Sequence, residues 1–205
     1  MKKDIKIVIP CYDRFDLLKQ TLQSLKDFDI IFDTYLFYDG IAPREVKEIA
    51  HAYEVCLKET GIMENLGADI MIYKSTMLFE DHVLVLDSDA IVVNDFTPFI
   101  LDSIKPFEND NSIVGISISK TFKYLNKHKG IDVMPYNIGC GTIYDKKHLT
   151  EAFEIHTKNP QREIDSLSGK IARDNKLHFI NSYKKFTQHL GNKTGFHAQL
   201  DIVHL

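Results

Sequence analysis

Apolar positions along the first ninety residues alternate between two periods. Ile5 to Ile9 is a continuous β-branched run that stops at Pro10, the pattern of a strand buried on both faces in a parallel sheet. From Phe15 to Leu25 the period changes: Leu17, Leu18, Leu22 and Leu25 fall on one side of a helix. Tyr35 to Tyr38 returns to strand character and ends at Asp39-Gly40. Pro43, at a favoured first-turn position, opens a helix through Val46, Ile49 and Tyr53. Asn65-Leu66-Gly67 begins a further helix reaching about Phe79, and Val83 to Leu86 is a strand closed by Asp87-Ser88-Asp89. Strands alternating with helices predict an α/β fold with a mostly parallel central sheet flanked by helices.

The second half is less regular. Ile113 to Ile118 reads as a strand, and Lys120 to Gly130 as a polar, lysine-rich loop. Met134 to Tyr144 reads as a strand with a glycine kink at Gly139-Cys140-Gly141. Helices are expected over Lys146–His156 and Gln161–Asn175, with short strands at Leu177–Ile180 and Lys185–His189. No repeat or low-complexity linker divides the chain, so a single domain is expected, with residues 1–95 as one half and 96–205 as the other.

Composition narrows the function classes. The chain has 205 residues, 44% apolar and 26% charged, which excludes a disordered protein. A net charge of −4 argues against a protein that coats nucleic acid. Cys11, Cys56 and Cys140 form no paired spacing, so no disulfide framework is expected. The start, Met1-Lys2-Lys3-Asp4, runs into an apolar segment too short for a signal sequence, and nothing reaches the ~18–20 apolar residues of a membrane span. A cytoplasmic protein is the expectation.

Ligands of a parallel α/β sheet bind at the carboxyl ends of its strands. Three of the predicted strands end in aspartates: Asp13, Asp39, and the Asp87/Asp89 pair. Each of the first two is also accounted for by turn or cap chemistry. Two acids one residue apart repel one another unless a cation lies between them, and hard ions such as Mg²⁺ and Mn²⁺ favour such oxygens. A metal site is the better reading of Asp87-Ser88-Asp89, a DXD motif.

In these residues the chain resembles a GT-A-fold glycosyltransferase, similar to family 2. Ile7-Val8-Ile9-Pro10-Cys11-Tyr12-Asp13-Arg14 is similar to that group's opening strand and its Pro-Thr-Tyr-Asn-Arg ending. Tyr38-Asp39-Gly40 resembles its Asp-Asp-Gly, with tyrosine in place of the first acid; Asn65-Leu66-Gly67 and Val83–Asp89 follow in the group's order. Gly139-Cys140-Gly141, Glu163-Ile164-Asp165 and Gln188-His189-Leu190-Gly191 resemble later segments. The resemblance implies transfer of a hexose-like unit from a nucleotide-diphosphate sugar, UDP by analogy, to a carbohydrate or other hydroxyl acceptor, with inversion.

Residue roles implied by it are these. Asp13 and Asp39, with the backbone near Pro10, would hold base and ribose, and Tyr12 and Asn65 would also contact the donor. Asp87, with Ser88, would face the ribose or a metal-bound water, and Asp87 and Asp89 would bind Mn²⁺ or Mg²⁺, with His189 as a further ligand. Lys74 would face the phosphates, or else be a solvated helix lysine. Asp165 would be the general base and Glu163 its alternative, although acids in a helix first turn also suit the dipole. His197 and His204 compete with His189. The remaining histidines read as surface or packing residues. Lys120, Lys123, Lys127, His128 and Lys129, with Phe122 and Tyr124, could greet an anionic acceptor such as a nucleic acid, but a solvated loop is favoured.

Competing readings are a catalytically inactive sugar-nucleotide or glycan-binding module, and a haloacid-dehalogenase-type phosphatase, whose nucleophile strand normally lies near the start. Nucleotidyltransferases of related fold would want a glycine-rich loop after the first strand, and Pro10-Cys11-Tyr12-Asp13 is not one.

Overall fold

A computed structural model describes residues 5–62, 65–118, 125–135 and 140–190. Lys120, Phe122, Lys123, Tyr124, Gly139, Gly191, His197 and His204 lie outside them.

The chain opens with β1 (Ile5–Cys11), α1 (Phe15–Asp27), β2 (Asp33–Tyr38), α2 (Arg44–Tyr53), β3 (Cys56–Glu59), α3 (Ala68–Thr76) and β4 (His82–Val85). Then follow β5 (Ala90–Val92), α4 (Thr97–Asn109), β6 (Ile113–Ser117), β7 (Asn126–His128), β8 (Ile131–Met134) and β9 (Thr142–Tyr144). The last elements are α5 (Lys146–Lys158), α6 (Ile164–Asp174), β10 (His178–Ile180) and β11 (Thr187–His189). One nine-stranded sheet has the order β3-β2-β1-β4-β9-β6-β10-β8-β7, joining strands from both halves of the chain. Within it β9 and β8 run against the other strands. A separate two-stranded sheet pairs β5 with β11.

The β-branched run of β1 is explained by burial on both faces. Ile5, Ile7 and Ile9 pack with Leu18, Leu22, Val46 and Ile100 from the α1, α2 and α4 side. Val8 points the other way, to Phe37, Met71 and Val85 beside α3. Each such fully buried side chain contributes about 1.5–3 kcal/mol through the hydrophobic effect. A second cluster, including Leu149, Ile164, Leu167 and Phe179, seats α5 and α6 against β6 and β10.

β1 continues through Pro10 instead of stopping there. The Val8 carbonyl accepts from Leu86 on the β4 side, whereas the Cys11 carbonyl accepts from Asp39 on the β2 side. Pro10 therefore faces the β4 side, and its missing N–H falls past the last β1–β4 pair, Val8 with Val85. Pro43 caps α2 from outside rather than occupying its first turn.

Other departures are larger. β3 is an edge strand whose Cys-Leu-Lys-Glu carries almost no buried pattern. α4 has prolines at positions 98 and 106, yet buries Ile100 and Ile104 one turn apart. The lysine-rich segment is no loop from 126 onward but a β7–β8 hairpin, turned by Lys129 and Gly130, both at positive φ. Lys127 is paired with Asp132 at 2.7 Å and Lys129 with Asp110 at 2.7 Å, so these charges are matched within the fold. Met134 to Tyr144 is not a single kinked strand: β8 ends at Met134, and β9, starting at Thr142, lies elsewhere in the sheet. α6 starts at Ile164, three residues later than its polar lead-in suggested. No helix among the described residues is long and apolar enough to cross a membrane.

Candidate active site

The strand order gathers the acids at one edge. β1, β2 and β4 are parallel neighbours, so their carboxyl ends deliver Asp13, Asp39 and Asp87–Asp89 side by side. β9 is antiparallel to β4, so its beginning reaches the same edge, carrying Cys140. β11 pairs His189 with Ala90 and sets the imidazole beside Asp89. The α6 N-terminus adds to the lining: the Ile164 amide donates to Asp69 at 2.7 Å, tying it to the start of α3.

Together these residues line a cavity of about 490 Å³, within the size range of small-molecule sites. Pro10, Tyr12, Asp13, Asp39, Asn65, Asp87, Ser88, Asp89, Glu163, Asp165 and His189 all lie on it. Lys74 does not. It is six residues past the start of α3, roughly 9 Å further along at 1.5 Å per residue, in the last turn. The basic residue on the cavity is Arg14, at the cap of α1 in left-handed backbone (φ 60°, ψ 43°).

Asp89 is buried and doubly held. Arg14 Nη1 lies 2.8 Å from its Oδ2, and His189 Nε2 lies 3.0 Å from Oδ1. Burial alone would raise its pKa, but His189 and then Arg14 outweigh it and hold the carboxyl below the usual range. The same pairing raises His189 above an ordinary histidine. Nε2 of His189 is also 3.9 Å from Asp87.

Asp39 is almost wholly buried. Its Oδ2 accepts from the Leu66 and Gly67 amides at 2.8 and 3.1 Å, which shapes the Asn65–Gly67 turn. Its Oδ1 is buried with no hydrogen-bond partner among the described residues. A buried carboxylate oxygen left in this way costs free energy unless a ligand donates to it. Beside it, exposed Tyr12 stacks on Tyr38 with ring centroids 6.1 Å apart.

Asp165 sits half-buried in the first turn of α6 and accepts a hydrogen bond from the Tyr144 hydroxyl. Desolvation pushes its pKa up to about 7; the Tyr144 bond opposes this, and the charges of Asp87, Asp69 and Glu163 add to it. Glu163 is the exposed residue capping α6.

Arg14, Tyr144 and Cys140 were not expected as site residues. Arg14 had a local signal, as a base directly after the strand-end acid. The other two depend on β9 inserting between β4 and β6, which no local pattern announces. Ser88 contributes its carbonyl to the Thr21 hydroxyl at 3.0 Å, fixing the Asp87–Asp89 segment on α1.

The sequence matches no protein-family profile and no curated protein. Solved structures do match. TarS of S. aureus superposes with a TM-score of 0.61 at 14% identity, over 98% of this chain and 39% of that one. Glucosyl-3-phosphoglycerate synthase of Mycobacterium tuberculosis, solved with Mn²⁺, UDP and glucosyl-3-phosphoglycerate, gives 0.53 at 12% identity, over 93% and 73%. The 4-diphosphocytidyl-2C-methyl-D-erythritol synthase of Anaerococcus prevotii gives 0.54 at 14% identity, over 98% and 99%. This chain thus spans about two-fifths of TarS. Its fold is a GT-A-like glycosyltransferase fold, mixed α/β with a mostly parallel central sheet flanked by helices.

Proposed function

We propose that this protein is a divalent-metal-dependent glycosyltransferase of the family-2 type that takes a UDP-sugar as donor and inverts the anomeric centre. The observation that carries the reading is the convergence of Asp39, Asp87, Asp89 and His189 on one cavity that Asp165, raised to about 7, also lines. A TarS fragment solved with UDP-GlcNAc (TM-score 0.60, 16% identity) and the Mn²⁺–UDP complex of the M. tuberculosis enzyme support it by fold.

In this reading, unpartnered Asp39 Oδ1 accepts from an N–H of the base, while Tyr12, Asp13, Asn65 and the backbone at Pro10 flank base and ribose. The donor set fits a divalent cation: ligand atoms of Asp87, Cys140 and His189 lie within 4.8 Å of one another, with Asp89 bonded to His189. Asp87, Asp89 and His189 would hold it as Mn²⁺ or Mg²⁺, and the bound ion would supply positive charge against the departing diphosphate. Arg14, half-exposed on Asp89, adds a second cationic group at that end of the cavity. Asp165 takes the proton of the acceptor hydroxyl as its oxygen bonds to the anomeric carbon and the bond to the diphosphate breaks. The acceptor is a carbohydrate or another hydroxyl compound.

A cytidylyltransferase reading has the length match in its favour. Against it stands the β1–α1 connection, Tyr12-Asp13-Arg14, which holds no glycine to cradle a triphosphate. Release of UDP from UDP-sugars with Mn²⁺ tests the proposal. Transferase chemistry yields UDP and leaves CTP and simple phosphate esters intact. A phosphatase attacks the esters, a cytidylyltransferase uses the CTP, and an inactive module turns over none of them.

The pH profile carries a signed prediction. Asp165 must be ionised to act as base, so kcat/KM should rise as pH increases through about 7. The Tyr144 hydroxyl favours the ionised form, so Tyr144→Phe should move this limb to higher pH. An unmoved limb would mean that another group titrates.

A further inference from the structure

Cys140 belongs to the cation edge. It precedes β9 with a backbone φ of 80°, a left-handed conformation that glycine adopts freely and other residues rarely do. Glycines stand on both sides of it in sequence, yet this position keeps a side chain. Its neighbour Gly141 is pressed against the core: a Cβ there would lie 2.7 Å from Ile118 Cγ1 and 3.4 Å from Leu86 Cδ1. That close packing fixes Gly141 and with it the position of the adjoining Cys140 backbone. The thiol is hydrogen-bonded to Asp87. Its Sγ, a carboxylate oxygen of Asp87 and a ring nitrogen of His189 all lie within 4.8 Å of one another. Asp89, bonded to His189 Nε2 at 3.0 Å, keeps that imidazole at this edge.

We propose that Asp87, Cys140 and His189 form a thiolate-bearing metal centre that selects Zn²⁺-class ions over Mg²⁺. The proposal rests on reading this edge as a cation site and names the class of ion it takes. Mg²⁺ demands an octahedron of oxygens and does not use sulfur. One carboxylate, one imidazole and one thiolate are the three ligand types of Zn²⁺, which takes three protein ligands in catalytic sites and leaves a fourth position for water or substrate. The thiol gives its proton to water as the ion binds. Cys11, buried on β1, and Cys56, exposed on β3, are outside the cluster.

The test uses the full chain stripped of metal and titrated with Co²⁺ as an optical probe. A sulfur-to-cobalt charge-transfer band is expected in the wild type and in Cys56→Ser, and absent in Cys140→Ser and Cys140→Ala. Zn²⁺ should displace the cobalt stoichiometrically, while Mg²⁺ at the same concentration should not. Zn²⁺ affinity should fall in Cys140→Ser by at least the roughly 10–100-fold that loss of an outer-shell partner already causes. Circular dichroism and ligand-free thermal melts of both Cys140 variants should match the wild type, showing that they are folded. No band in the wild type, a band that survives in Cys140→Ser, or equal Zn²⁺ affinity in the two proteins overturns the proposal. Absence of any UDP response in the wild type overturns the donor reading and leaves the metal result standing on its own.

Discussion

Asp165→Asn should lower kcat by about 10²–10⁴-fold, the usual contribution of a positioned general base, while UDP affinity stays within about twofold of wild type, since the residue binds no part of the nucleotide in this account. The same variant should be more stable than wild type at alkaline pH. The folded pKa of Asp165 is about 7, above the ~3.9 of an unfolded aspartate. Its contribution to stability is therefore complete below about pH 4 and is lost as pH rises through about 7. Asparagine is never ionised, still accepts from the Tyr144 hydroxyl, and removes a charge that Asp87, Asp69 and Glu163 repel. Thermal melts should thus separate the two proteins above pH 7 and superimpose them in acid. A variant that loses turnover and stability together at every pH would identify Asp165 as a packing residue instead. Lost activity joined to gained stability is the signature of a functional site kept in an unfavourable environment.

Asp89→Ala should end the ability of Mn²⁺ to improve UDP affinity. The carboxylate is buried at the centre of the edge, with Arg14 on one oxygen and His189 on the other. Its loss releases both, and the pKa of His189 falls because the partner that raised it is gone. Two charge-assisted contacts disappear, one of them to a half-exposed arginine screened by water. Stability should therefore drop by only about 2 kcal/mol. Equilibrium binding of UDP, with and without Mn²⁺, reads the effect. An unchanged metal dependence would move the cation away from Asp89.

Much of the fold is legible where local pattern and burial agree. β1 and β4 are buried on both faces, so their apolar runs stand out, and α1 presents an unbroken apolar stripe. α4 escapes because Pro106 interrupts an otherwise helical pattern. In the folded chain that proline forgoes a bond to the carbonyl of Asp102 and crowds it, but Asp102 is on the exposed side, where its carbonyl can face water. β3 and β7 are edge strands, mostly polar, and owe their conformation to neighbours rather than to sequence period.

The site divides along the same line. Asp13, Asp39, Asp87 and Asp89 follow directly on strands, so their convergence could be anticipated from chain order alone. Lys74, which the sequence leaves open between phosphate contact and a solvated lysine, does not line the cavity, because helical phase and axial position decide which residues face a cleft. Cys140 precedes β9 and Tyr144 ends it, and the antiparallel entry of that strand beside β4 is a property of the whole sheet. Asp165 is a first-turn acid, so helix geometry alone suits a solvated, dipole-stabilised carboxylate, and only the resemblance points to a base. Its raised pKa comes from desolvation and from the charges of Asp87, Asp69 and Glu163, which the folded chain brings near.

The most direct measurement is thermal stability of the wild type with UDP, with Mn²⁺, and with both. If acids on adjacent strand tips share a cation with the diphosphate, the two ligands together should raise the melting temperature by more than the sum of their separate shifts, because each strengthens binding of the other. Strictly additive shifts, or none with UDP at saturating Mn²⁺, would contradict a nucleotide-and-metal site at this edge.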